Sequence, residues 1–130
     1  MGDRPVLQDA EASIENHQRF VRRVVQGDTV WGLKSDAGWA VCDSAEYDEM
    51  EVMPFWSDRA YAQRAAQDEW ADYVPTPIPL DTFIDRWLKG MHRDGVLVGP
   101  NWDAHNCGRE LDALDLASEL VDAQAQQRKH

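Results

Sequence analysis

The stretch Thr29-Val30-Trp31-Gly32-Leu33-Lys34-Ser35-Asp36-Ala37-Gly38-Trp39-Ala40-Val41-Cys42 decides the fold class. Two aromatic and β-branched runs flank a polar turn in which Gly38 can take a left-handed conformation, the pattern of a β-hairpin. Side chains alternate along a strand, so Trp31 and Leu33 share one face and Trp39 and Val41 share another, each offering a full face to a core. Lys34 and Asp43 mark the wet ends of the two strands.

Working outward, residues 9–26 read as an amphipathic helix with Ile14, His17, Val21 and Val24 on its apolar stripe, stopped by Gly27 and Asp28. His17 on that stripe is expected to be a core histidine held by one hydrogen bond, because no second ligand sits one turn away. On the other side of the hairpin, Val52-Met53-Pro54-Phe55-Trp56 predicts a short strand. Its Pro54 lacks a ladder donor and so belongs at a sheet edge or a strand end. Ser57 is expected to cap a helix over 57–70 whose small residues Ala62, Ala65 and Ala66 allow close packing. Pro75, Pro77 and Pro79 alternate through the next segment, which forces it to be extended and forbids a central strand.

Leu80, Phe83, Ile84, Trp87, Leu88 and Met91 carry the strongest helical period in the chain and predict a central helix over 80–91. Val96-Leu97-Val98 is wholly apolar, as a strand buried on both faces would be. A last helix, near 115–126, is expected to be capped by Asp115. The expectation is one α+β domain, residues 9–123, with a mainly antiparallel sheet covered by about four helices. Residues 1–8 are expected to be an extended or disordered start and 124–130 a frayed polar tail.

The chain has 130 residues, enough for one core without a disulfide or a structural metal. Its charge narrows the partners. Twenty-four acids against thirteen bases give −11, a field that repels nucleic acid and anionic membrane surfaces. The imbalance concentrates in residues 35–100, which carry −8, so a protein with a basic surface is the partner that charge favours. There is no basic, apolar leader at the N-terminus and no run of about 18 apolar residues, and the expected location is the cytoplasm. Oligomeric state is left open, a homo-oligomer included.

Asp43, Glu46, Asp48, Glu49 and Glu51 crowd five carboxylates together, but their spacing is not that of a calcium loop. Cys42, His92, His105 and Cys107 lack the paired knuckle spacing of a zinc site, and no glycine-rich phosphate loop occurs. The expected metal and cofactor content is none. A nucleophile could be built from Cys107 with His105 or His92 as base, oriented by Asn101 or Asn106, although no acyl-transfer or redox motif surrounds Cys107. Six tryptophans in so small a chain are too many to enclose fully. Trp56 and Trp102 are expected at the surface, since each follows a strand and opens into a polar segment. With Asp58 and Asn101 they make the candidate binding patch.

The strings Val30-Trp31-Gly32-Leu33, Gly38-Trp39-Ala40-Val41-Cys42, Val52-Met53-Pro54-Phe55-Trp56-Ser57-Asp58, Ile78-Pro79-Leu80, Trp87-Leu88 and Val98-Gly99-Pro100-Asn101-Trp102 resemble a family of small, mainly bacterial proteins, the domain of unknown function 2750. The likeness runs from about residue 16 to residue 120. It implies no activity, cofactor or catalytic residue. A looser similarity is to small α+β secretion-accessory and toxin-immunity domains. The function expected from the sequence is a non-catalytic protein-interaction domain, accessory or immunity-like, using an acidic, tryptophan-containing surface. The alternative is a small hydrolase or transferase centred on Cys107.

Overall fold

The computed structural model describes residues 6–102 and 108–128, with the side chains of the first helix described from Glu11 onward. The order is α1 (Val6–Gly27), β1 (Thr29–Ser35), β2 (Gly38–Trp39), β3 (Cys42–Asp43), β4 (Glu51–Phe55) and α2 (Arg59–Ala65). A 3-10 turn (Asp68–Trp70) and β5 (Val74–Pro79) follow. The chain is then helical without a break through α3 (Leu80–Thr82), a π-helical stretch (Phe83–Leu88) and α4 (Lys89–Asp94). β6 (Val96–Pro100) and α5 (Ala113–Arg128) complete it. This is the α+β domain that the hairpin and the helical periods predict, with one difference in the sheet.

The strands form two small sheets rather than one. β1 and the start of the expected return strand, Gly38–Trp39, lie in an antiparallel sheet of order β2-β1-β5, but that return strand breaks after Trp39. Val41 is exposed rather than facing a core, and Cys42 pairs with Val52 in a mixed sheet of order β3-β4-β6 that also holds the strands at 51–55 and 96–100. β4 and β6 run parallel, with Val52 opposite Leu97 and Phe55 opposite Pro100. The chain between them, through α2, β5 and the 80–94 helix, is long enough for the crossover that a parallel pair needs. The sheets meet where Trp31 and Trp56 exchange backbone hydrogen bonds of 2.8 and 2.7 Å.

That junction explains Pro54. Phe55 turns its carbonyl toward β6, where it accepts from the Asn101 N–H at 2.8 Å, so Pro54 turns its backbone the other way. On that side β3 reaches only as far as Val52, and β1 takes over at Trp56. The proline occupies the gap between two partners, inside a central strand yet opposite no acceptor that needs its proton. β6 carries four buried residues in five, as its apolar run predicts, but stands at the sheet's end, where among the described residues the bridge Val98–Leu111 alone lies beyond it.

β1 feeds a core on each face. Val30 packs with Phe20 and Val24 of α1, Phe83 and Leu88 of the central helix, and Leu116 and Leu120 of α5. Leu33 turns the other way, toward Trp56, Ala62, Ala65 and Trp70. The buried stripe of α1 is His17, Phe20, Val24 and Val25, while Ile14 is exposed, a rotation of the expected face toward α5. The 57–70 helix is broken: α2 ends at Ala65, and Asp68, with a left-handed φ of 52°, opens the separate 3-10 turn. Two expected caps also move. The residue preceding α2 is Asp58, because the Ser57 hydroxyl is committed to Asp58 Oδ1 at 2.6 Å. α5 is capped by Asp112, whose Oδ1 accepts the Leu114 N–H at 2.8 Å, not by Asp115. α4 closes on Gly95, at φ 73°, whose N–H reaches the carbonyls of the last turn.

Candidate functional site

Because β4 and β6 are parallel, their carboxyl ends open at the same edge, the place where α/β sheets commonly build sites. The segments that leave that edge are Trp56-Ser57-Asp58 and Asn101-Trp102, so four residues expected from the sequence to form one patch do meet. Asn101 is the hub. It holds a left-handed φ of 48°, which asparagine tolerates better than most residues, and is 4% exposed. Its Oδ1 accepts the Ser57 N–H at 2.8 Å and its Nδ2 donates to Ser57 Oγ at 3.0 Å and to the Asn16 carbonyl of α1 at 3.4 Å.

The tryptophans of this edge are interior, which corrects the expectation that Trp56 and Trp102 reach the surface. They are 0% and 5% exposed. Each indole N–H finds a backbone acceptor, Trp56 Nε1 donating to the Trp102 carbonyl at 3.0 Å and Trp102 Nε1 to the Arg109 carbonyl at 2.9 Å. A side chain at Gly99 would collide with the Trp102 indole, so the ring lies flat against backbone. Three other tryptophans, Trp31, Trp39 and Trp87, carry the partial exposure that the composition requires. The last two meet edge to face at 4.7 Å, under Lys34, whose Nζ is 5.3 Å from the Trp39 ring.

At the rim, Arg23 of α1 grips Asp58 through two hydrogen bonds of 2.8 and 2.6 Å. Burial pushes the Asp58 carboxyl up, but hydrogen bonds from Arg23 and Ser57 and the charges of Arg23 and Arg19 outweigh it, leaving it below the usual carboxylate range. Arg23, Gln26, Gly27, Ser57 and Asp58 line a shallow hollow of about 290 Å³ beside this pair. The polar atoms of the edge are thus spent on one another. The arrangement locks α1, β4 and β6 together.

The residues of the cysteine alternative are differently placed. Cys107 and His105, with Asn106, lie outside the described residues. His92 is on α4, before β6, and Asn101 follows β6, so the strand's five residues, ~16 Å of extended chain, separate them. His92 Nδ1 lies 3.3 Å from Asp112 Oδ2 on the exposed side of the helix. The other thiol, Cys42, is half-buried. Burial first, then Glu69, Glu110 and Asp43, push it up to about 11, the opposite of an activated nucleophile. No group of three or more His, Cys, Asp or Glu side chains suited to a metal occurs among the described residues.

The carboxylate-rich run without calcium-loop spacing forms the solvated loop between β3 and β4. Asp43, Glu46, Asp48, Glu49 and Glu51 are all exposed, and Tyr47, at 52% exposed, stands among them. This acidic loop is held. Ser44 Oγ accepts the N–H groups of Glu46 and Tyr47 at 3.0 and 2.9 Å, and its own N–H reaches the Met50 carbonyl at 2.8 Å. Glu110, on the segment before α5, accepts from the Ser44 hydroxyl and from the Ala45 N–H, the latter at 2.9 Å. Glu49 closes the loop at a left-handed φ of 62°. The serine turn was readable from Ser44 ahead of a polar run, but the tie to a glutamate 66 residues on was not.

The family model for a protein of unknown function (DUF2750) matches residues 17–120, which spans both the carboxyl-edge network and the acidic loop. No curated protein and no solved structure matches the chain. Among the described residues, no helix is long and apolar enough to cross a membrane.

Proposed function

The chain belongs to the DUF2750 family of proteins of unknown function, and we propose that it serves as a non-catalytic protein-interaction domain whose contact surface is the acidic loop 43–51. The observation that carries this reading is the posture of the loop: an exposed tyrosine set among five exposed carboxylates on a backbone already fixed by Ser44 and Glu110. A loop ordered before binding loses little conformational freedom on contact. Tyrosine supplies contact area with few rotamers to freeze, and the carboxylates draw a basic surface to it and set the orientation. The −8 carried by residues 35–100 extends the same field over the rest of this region.

The carboxyl-edge residues take a supporting role here. Trp56, Asn101 and Trp102 below the surface and Asp58 at its rim hold α1 and the two parallel strands together. Affinity capture from a lysate of the source cell, at low and high salt, tests the reading. A basic protein retained at low salt, released at high salt and lost with Tyr47→Ala supports it. Capture indifferent to Tyr47→Ala and to the triple change of Glu46, Asp48 and Glu49 to their amides refutes it.

A further inference from the structure

On the far side of α1, a second surface has a different character. α1 and α5 pack side by side, joined by the approach of His17 Nε2 to Glu119 Oε1 at 2.8 Å, off the line of a hydrogen bond, and by Gln127 reaching the Val25 carbonyl at 3.5 Å. Between them lies a groove of about 550 Å³ with Val21, Val25 and Ala123 on its floor and glutamine side chains along its rim. Its charged members are Arg22 on the α1 wall and Glu119 on the α5 wall. We propose that this face docks a second copy of the chain across a two-fold axis.

Charge selects that occupant. A chain at −11 repels its own copies over most of its surface, but this patch sums to zero, so here two copies can approach with least penalty. A basic partner is drawn instead to the region that carries −8. In a two-fold interface residue i meets residue j and j meets i, so an arginine on one wall and a glutamate on the other are self-complementary. The floor is apolar and charge-poor, as interface centres are. α5, with 16 residues, gives two adjacent helices a footprint on the order of 500 Å², the size of a weak, reversible interface.

Sedimentation velocity from low micromolar to millimolar concentration tests the proposal. The expected result is concentration-dependent dimerisation that R22E and E119R each weaken about tenfold by placing like charges face to face. Mixing the two variants restores it, since both cross-interface contacts are then of opposite sign, and the double variant R22E/E119R associates like the parent. Because Glu119 also faces His17, melting curves accompany each variant. Ala123→Gln, which fills the groove without changing charge, supplies a second weakening independent of that contact. A chain that stays monomeric throughout, a dimer indifferent to R22E and A123Q, or a mixture no tighter than its components overturns the proposal.

Discussion

Asn101 concentrates more structural obligation than any other residue at the carboxyl edge, because its backbone and its side chain are both constrained. The left-handed φ disfavours other side chains, and the buried Ser57 N–H has Asn101 Oδ1 as its partner. Asn101→Ala is expected to cost about 2–4 kcal/mol, the sum of an unmet buried donor and an ill-suited φ. Asn101→Gly loses the same hydrogen bonds but relaxes the backbone, so it is expected to be about 1 kcal/mol less harmful. Urea titrations of the two variants check the order, and equal losses would mean that the φ angle contributes nothing. Asp58 makes a separate prediction about pH. Its folded carboxyl titrates below the usual range, so on acidification the unfolded chain takes up the proton first. The stabilisation is whole above the unfolded value of about 3.9 and disappears as pH falls through the folded one. Urea midpoints of the parent and of Asp58→Asn, followed from neutral pH downward, are expected to differ at neutrality and converge in acid. A gap that widened in acid would reverse the sign argued here. Cys42 follows the opposite course: in a Cys107→Ser background, iodoacetamide labelling should rise only as pH approaches 11.

Among the elements, β5 shows how a sequence pattern acquires its reason only in a fold. The Leu80 N–H bonds to the Asp28 carbonyl, so even-numbered residues of this segment face β1, and Pro75, Pro77 and Pro79 fall at positions whose N–H would point outward. Three alternate prolines keep every donor that β1 needs and strip donors from the free edge, a known defence against edge-to-edge pairing. Pro77→Thr restores one outward donor on an exposed residue, and it is expected to raise light scattering at high concentration with little change in melting temperature. If scattering does not change, the prolines are not guarding that edge. This edge position was legible beforehand, since proline's missing donor is a local property. The hairpin, the central helical period and the apolar strand at 96–98 were legible for the same reason: each is written in neighbouring residues. The split into two sheets was not, because the parallel pairing of β4 with β6 depends on residues 45 apart in sequence, such as Val52 and Leu97. Nor was the π-helical turn at Phe83–Leu88, where the i, i+4 spacing of Phe83 and Trp87 serves either helix type. Both rings press edge-on against Phe55, at 4.8 and 5.7 Å, a tertiary demand that local spacing does not reveal. The same limit explains the misplaced tryptophans. Trp56 and Trp102 follow strands into polar sequence, but the polar residues beside them turn inward with them.

Across the whole molecule, the two sheets share the larger core, to which Val30 and Ile78 contribute from one sheet and Phe55 and Val98 from the other. The paired hydrogen bonds of Trp31 and Trp56 join the sheets, and the Asn101 network ties α1 to β4 and β6. Trp56 belongs to the smaller core, while its neighbour Phe55 belongs to the larger, so one dipeptide spans both. Separate unfolding of either core would therefore expose a half-buried strand and break the junction, which favours a single cooperative transition for a chain of this size. Tryptophan fluorescence, which reports on rings in both cores, and far-ultraviolet circular dichroism are expected to trace superimposable urea curves. The acidic loop should be an exception to that unity, because apart from Met50, which packs against the small Val52–Leu97–Trp102 cluster, it hangs on Ser44 and Glu110. Glu110→Ala is expected to leave the global transition within about 1 kcal/mol of the parent while the Ala45 amide exchanges faster. If the amide keeps its protection, the loop owes its order to its own serine turn. If instead the global transition splits, the segment before α5 is a structural strut of the fold rather than a tether for its most acidic surface.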